Sequence, residues 1–206
     1  MTGLTAADAA TFSRCMAVHG VAVFPADTVY GLACEPESKQ AVRRLYALKR
    51  RAPGKPAAVM FFDRDLALAA LPELGPQTRA AMTRLLPGGV TLLLPNPEGR
   101  FPLACGTEPG TLGVRVPALS DALAPLRGVR WPVMQSSANT AGAPDARILQ
   151  DVPDDIRGGA DLVLDAGELP GTPSTVLDLR GYEGSGGWAV VREGAVSPQE
   201  IGRRLA

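Results

Sequence analysis

The sequence predicts a mixed α/β fold in which strands and helices follow one another without strict alternation. Three observations carry that expectation. Short apolar runs recur at Val21–Phe24, Ala57–Phe62, Val90–Leu94, Leu112–Val116 and Val133–Ser136, each about as long as a strand. Between some of them the apolar residues fall at helical spacing, most clearly over 38–49, where Ala41, Val42, Leu45 and Leu48 share one face. Three late segments, 161–165, 174–179 and 188–192, read as strands with little helix between them, so the sheet is expected to be mixed rather than purely parallel.

In chain order, 5–19 reads as a helix with Ala9, Phe12, Met16 and Ala17 as its stripe. Val21–Phe24 is a buried strand that breaks at Pro25. Ser38 is placed to cap the helix over 38–49, and Ala57–Phe62 is the next strand. Pro76 falls in the first turn of a helix reaching about Leu86. Strands at 90–94 and 112–116 follow, then a helix near 119–126 and a strand at 133–136. Gly181–Gly187 reads as a flexible turn. The last helix starts at Ser197, with Pro198 behind the cap and Glu200 closing a capping box.

With 206 residues the chain is long enough for one domain with a substantial core, and 1–206 is read as a single domain. Lysine and arginine total 21 and so do aspartate and glutamate, which argues against a general nucleic-acid coat; only a local basic patch could serve a polyanion. The three cysteines, at 15, 34 and 105, fit no metal or disulfide spacing and read as reduced thiols of a cytoplasmic protein. No signal peptide is visible, and no apolar run is long enough to span a membrane.

Nucleophile and metal chemistry find little support. There is no GxxxxGK[ST] loop, no GxGxxG after a strand and no HExxH, and the one histidine, His19, stands at a helix end. Four other stretches are richer. "FPADTVYGLAC", Phe24 to Cys34, places Asp27, Thr28 and Tyr30 just past a buried strand. Six cations lie between Arg43 and Lys55; Lys49 and Arg51 fall where the helix ends, before Pro53-Gly54, so they either converge on a phosphate or decorate a solvated turn. "QSSANTAG", Gln135 to Gly142, puts Ser136, Ser137 and Asn139 at a strand's carboxyl end, as a ligand site or as a cap or Asx turn. "TLGVRVP" puts Arg115 inside an apolar strand, where a buried guanidinium needs either an internal carboxylate or a ligand's.

Taken in order, PADTVYGLAC, Lys49-x-Arg51, GVRVP, SSAN with a following Gly, STVLD and a terminal VR-x-G resemble the YrdC-like domain family. The resemblance runs from about Ala17 to Gly194, and Lys49, Arg51, Ser137 and Asn139 match the family's signature. It implies a twisted, open mixed sheet with flanking helices around a basic concave groove. The best-understood members are threonylcarbamoyl-AMP synthases, which form threonylcarbamoyl-adenylate and pyrophosphate from L-threonine, bicarbonate and ATP. Downstream proteins then pass the threonylcarbamoyl group to adenosine 37 of tRNA. By the same resemblance, Lys49 and Arg51 would be catalytic. They would face the ATP phosphates with Lys55 and Arg192, while Thr111, Ser137 and Asn139 would bind the nucleotide. Thr28, Arg115, Thr175 and the position of Met60 would form the threonine pocket, with Arg115 on the substrate carboxylate. Mg2+ would travel with the ATP.

The match has departures. Ala26 stands where the family usually has Thr, Ala52 precedes the Pro expected after Lys-x-Arg, Met60 replaces a His or another polar group, and Ala141 and Asp145 replace small hydroxyl residues. Two other readings follow from these residues: an RNA-binding module using the Arg43–Lys55 cluster, and a paralogue with the fold but no activity. A hydrogenase-maturation carbamoyl-transfer module would need Cys-rich zinc segments that this sequence lacks.

Overall fold

The structure, a computed structural model, describes residues 3–206. Its strands are β1 (Val21–Pro25), β2 (Tyr30–Cys34), β3 (Ala58–Met60), β4 (Val90–Pro95), β5 (Thr111–Arg115), β6 (Val133–Ser137), β7 (Leu162–Val163), β8 (Thr175–Asp178) and β9 (Ala189–Arg192). The helices are α1 (Ala6–Ala17), α2 (Lys39–Leu48), α3 (Arg64–Ala70), α4 (Pro76–Leu85), α5 (Pro102–Cys105), α6 (Asp154–Gly159), α7 (Tyr182–Ser185) and α8 (Pro198–Leu205).

Among the described residues the nine strands form one sheet in the order β7-β1-β2-β6-β3-β5-β4-β8-β9. Three pairings are parallel (β1·β7, β3·β5, β4·β8) and the rest antiparallel, so the sheet is mixed as expected. Strand periodicity sorts its two faces. Leu92, Leu94, Leu112, Val114, Met134 and Leu177 are fully buried in the hydrophobic core. Their neighbours Thr91, Leu93, Thr111, Gly113, Arg115, Gln135 and Val176 line a cavity on the other face. At one end of the core, Phe12 of α1 packs on Phe24 of β1 and on Phe62, with ring centroids 5.2 and 5.7 Å apart.

Several elements differ from the sequence reading. β2 was not expected, because Tyr30–Cys34 carries a glycine and no alternation; it is buried on both faces between β1 and β6. α3 was also missed; Asp63 starts it by accepting from the amides of Asp65 and Leu66. The expected helix near 119–126 is a 3-10 turn over Asp121–Gly128 with Pro125 inside it. The supposed flexible turn Gly181–Gly187 contains α7. The Glu183 carboxylate accepts from the amides of Gln77 and Thr78, so it caps α4, whose N-cap residue, Gly75, has no side chain to do so. At α8 only half of the capping box forms. Ser197 Oγ accepts from the Glu200 amide at 3.2 Å, but the Glu200 carboxylate turns to Arg203 and Arg204.

Among the described residues no helix is long and apolar enough to cross a membrane.

Candidate active site

The groove is a cavity of about 540 Å³ on the polar face of the sheet. Its floor comes from β3 to β6 and β8. Its rim comes from the turn after α2, the loop after β6 and the segment ahead of β8.

The turn after α2 is made by backbone geometry. Lys49 is the last residue with helical dihedrals, and Arg50 enters the left-handed region at φ 49°. The Arg50 amide donates to Ala47 O at 3.0 Å and the Arg51 amide to Tyr46 O at 2.9 Å, the paired bonds of a Schellman motif. The chain reverses there and carries Arg51 toward the groove. Tyr46 then holds the far side of the turn: its hydroxyl donates to Lys55 O, and its ring lies 5.9 Å from the Arg51 guanidinium carbon. Arg51 Nη2 donates to Pro56 O at 2.6 Å, while its Nε is buried without a partner among the described residues.

Lys49, Ser137 and Asn139 form one closed network. The Lys49 ammonium donates to Ser137 O at 2.7 Å, to Asn139 O at 3.0 Å and to Asn139 Oδ1. Ser137 Oγ donates to Asn139 Oδ1 at 2.8 Å, and Asn139 Nδ2 donates to Ala143 O. The Ala141 amide donates to Lys49 O at 2.9 Å, which joins the two loops a second time. Burial, and then the charge of Arg51, push the Lys49 pKa down to about 8, partly offset by Asp145.

Arg115 has an internal partner. Its Nη2 donates to Asp27 Oδ1 at 2.6 Å and to Thr28 Oγ1 at 2.7 Å, and the two charged side chains are 3% and 5% exposed. The other Asp27 oxygen accepts from the Ala118 amide at 2.9 Å. Of the two partners open to Arg115 on sequence grounds, the internal carboxylate is therefore present, and Asp27 does more than cap its own turn. Arg115 Nε is buried without a partner among the described residues. Tyr30 turns away from the groove: its hydroxyl donates to Asp165 Oδ1 at 2.6 Å, with Gly167 O a second acceptor within reach at 2.8 Å.

Of the expected site residues, Lys49, Arg51, Lys55, Thr111, Arg115, Ser137, Asn139 and Arg192 all line the one cavity. Thr28 lies just behind it and reaches it through Arg115. Two others do not line it. Met60 is fully buried in the core, paired in register with Arg115 and Val133, because a thioether in a central strand packs with its apolar neighbours. Thr175 is also fully buried; its hydroxyl donates to Val196 O at 2.6 Å and accepts from the Val196 amide at 3.0 Å, which ties down the segment before α8.

The cavity is also lined by residues to which the sequence reading assigned no role. Thr91 Oγ1 and Ser174 Oγ are 2.8 Å apart, and Arg192 Nη2 donates to Ser174 O at 2.6 Å. Thr91 and Gln135 were legible only as polar residues inside apolar strands, the signal that singled out Arg115. Glu108 and Asp145 add two carboxylates to the wall. The RNA reading loses part of its basis, since Arg44 pairs with Asp161 at 2.8 Å and Arg50 with Asp155 at 2.9 Å.

Residues 15–194 match the Sua5/YciO/YrdC family model, described as telomere recombination. A threonylcarbamoyl-AMP synthase of Chromohalobacter salexigens is 37% identical over 165 residues, covering 78% of this chain and 86% of that protein. Its namesake from Pyrococcus abyssi is 31% identical over 157 residues, and the match spans 76% of this chain but only 46% of the relative. The Bacillus subtilis protein of that name, 34% identical, is likewise matched over only 46% of its length, so this chain spans about half of these longer relatives. P. abyssi Sua5 in complex with L-threonine superposes with a TM-score of 0.84 at 26% identity, over 98% of this chain and 58% of that one. E. coli YciO superposes with a TM-score of 0.78 at 25% identity, over 96% and 94% of the two chains. The matched range contains every residue of the groove described above, and the chain belongs to the Sua5/YciO/YrdC family.

Proposed function

We propose that the chain is a threonylcarbamoyl-AMP synthase, and that the groove holds ATP and L-threonine together. The observation that carries this reading is the set of five cations, Lys49, Arg51, Lys55, Arg115 and Arg192, on one cavity against two carboxylates, in a chain whose net charge is zero. Such a concentration suits a polyphosphate and a carboxylate. A cavity of about 540 Å³ is also within the range of small-molecule sites. The relatives' names support the reading, as does the L-threonine bound to the P. abyssi protein.

The chemistry asks for positioning and charge neutralisation more than for a nucleophilic side chain. The threonine amine captures bicarbonate-derived CO2 and loses a proton. A carbamate oxygen then attacks the α-phosphorus, the bond from that phosphorus to the oxygen bridging to the β-phosphate breaks, and pyrophosphate leaves. Arg51, Lys55 and Arg192 would neutralise the phosphates, Arg115 would hold the amino-acid carboxylate, and Thr111 would contact the nucleotide. Lys49, Ser137 and Asn139 would shape the wall between them. Among the described residues no group of three or more His, Cys, Asp or Glu is gathered to hold a metal. A Mg2+ carried by the phosphates would neutralise charge there, and Asp145 and Glu108 are the two carboxylates on the wall that could approach it. The product would pass to proteins that modify tRNA. Three buried, free thiols are in keeping with the cytoplasm.

The test is pyrophosphate release by the purified protein with ATP, Mg2+ and bicarbonate, with and without L-threonine. Threonine-dependent release that is lost in Arg51→Ala and Arg115→Ala is the expected result. No release from a folded protein that still binds ATP would leave the fold without the activity.

A further inference from the structure

The hairpin tip between β1 and β2 and the end of β5 belong to strands separated by β6 and β3 in the sheet. Asp27 is the tie between them. One of its oxygens binds Arg115 Nη2 at 2.6 Å, and the other accepts the Ala118 amide at 2.9 Å, three residues further along the β5 segment. Asp27 thus grips both the side chain and the following backbone of one strand end. Thr28 Oγ1 accepts a second bond from the same nitrogen at 2.7 Å.

This arrangement has an electrostatic reason. A guanidinium that is 3% exposed needs a counter-charge, and Arg192 on the same cavity wall is a like charge close enough to oppose it. Without Asp27, Arg115 would be driven to leave its buried seat for the open groove. With Asp27 in place, both internal bonds run through Nη2, so the remaining donors of the guanidinium stay available in a fixed direction.

We propose that Asp27 is a positioning residue for the amino-acid end of the groove, holding Arg115 so that its free donors meet the carboxylate of the incoming amino acid. This deepens the functional reading above and rests on it. Asp27 does not itself touch the substrate, since its side chain is 5% exposed and both of its oxygens are engaged. The hairpin tip is thereby coupled to the site. Its position is felt at Arg115, so any shift of residues 26–29 reaches the substrate carboxylate.

The experiment is isothermal titration of L-threonine, and separately of ATP with Mg2+, into the wild-type protein and Asp27→Asn, with thermal unfolding of both. Asn is nearly isosteric but has one acceptor oxygen, so either Arg115 or the Ala118 amide would face an amide NH2 group. The expected result is a threonine Kd at least tenfold weaker, an ATP Kd within twofold and a small drop in Tm. A merely structural role would weaken both ligands together. A wild-type protein that binds ATP but not L-threonine would overturn the functional reading, and the proposal with it. A wild-type protein that binds L-threonine, with Asp27→Asn binding it equally or more tightly, would overturn the proposal alone. Asp27→Glu keeps the charge and both acceptors one methylene further out; if Asp27→Asn does not fold, a threonine affinity in Asp27→Glu equal to the wild type's overturns the proposal, and a selective loss supports it.

Discussion

The Lys49 ammonium grips Asn139 twice, through the backbone carbonyl at 3.0 Å and through the side-chain Oδ1, and it reaches Ser137 O at 2.7 Å as well. An ammonium has three donors, and here each has an oxygen inside the protein. The lysine of the Lys-x-Arg turn therefore acts as a clip between the end of α2 and the loop after β6. Lys49→Met keeps the stem and removes the donors, leaving buried oxygens unpaired. It is expected to cost about 1–3 kcal/mol, the penalty for unsatisfied buried polar groups. Urea unfolding measures that cost; a variant as stable as the wild type would deny the clip.

In the proposed function, the same lysine is expected to make ATP binding depend on pH. Burial, reinforced by Arg51 and opposed by Asp145, brings its folded pKa to about 8. As pH rises from 7 to 9 the groove loses one positive charge, so ATP affinity is expected to fall across that interval while the phosphates' own charge stays constant. For stability the sign is opposite. Between pH 8 and 10.5 the unfolded chain still holds the proton that the folded chain has released, so this group adds to unfolding free energy as pH rises. The buried thiols of Cys15, Cys34 and Cys105, all pushed up by burial from 9.0, work the other way, and because thiols of the unfolded chain begin to ionise below pH 9 the two contributions overlap in stability. ATP affinity is therefore the readout that separates Lys49. Titrating ATP at several pH values checks the first effect; affinity that is flat through pH 8 would contradict it.

What the sequence could and could not say follows from where each residue's partner lies. Helix α2 was legible because Ser38, Ala41, Val42 and Leu45 are neighbours in sequence as well as in space. The eight groove residues were legible through short motifs. The Asp27–Arg115 pair spans 88 residues, and nothing local in either stretch names the other. The cap on α4 comes from Glu183, more than 100 residues away, so a glycine-rich tract read as slack turned out to be an anchor. β2 was hidden because a strand buried on both faces loses the alternation that marks a half-exposed one.

Met60 and Arg115 are register partners across β3 and β5, but only Arg115 lines the groove. Placing Met60 in the core makes a separable prediction. Met60→Ala should cost about 2–5 kcal/mol, as large-to-small core changes do, with the threonine Kd of the folded fraction unchanged within twofold. Denaturation and calorimetry on one preparation test both halves. A selective loss of threonine affinity with little loss of stability would return Met60 to the pocket.

Gly194 is where the chain after β9 closes onto the start of β8. The Ala195 amide donates to Pro173 O at 2.8 Å, and a Cβ on Gly194 would meet that same oxygen at 2.2 Å and the Thr175 nitrogen at 2.7 Å. These neighbours are backbone atoms and cannot swing aside as a side chain would. Gly194→Ala must therefore push residues 192–196 away from β8. That shift would loosen the bond from Arg192 to Ser174 O and the two bonds between Thr175 and Val196. The strain is expected to cost about 1–3 kcal/mol, the usual penalty for overpacking. Because Arg192 lies on the groove wall, ATP affinity should fall by about tenfold, the equivalent of about 1.4 kcal/mol. Arg192→Ala removes the same cation without the strain, so it should reproduce the loss of ATP affinity while sparing most of the stability. If Gly194→Ala lost stability but bound ATP as well as the wild type, Arg192 would be a brace for the strand and not a phosphate ligand.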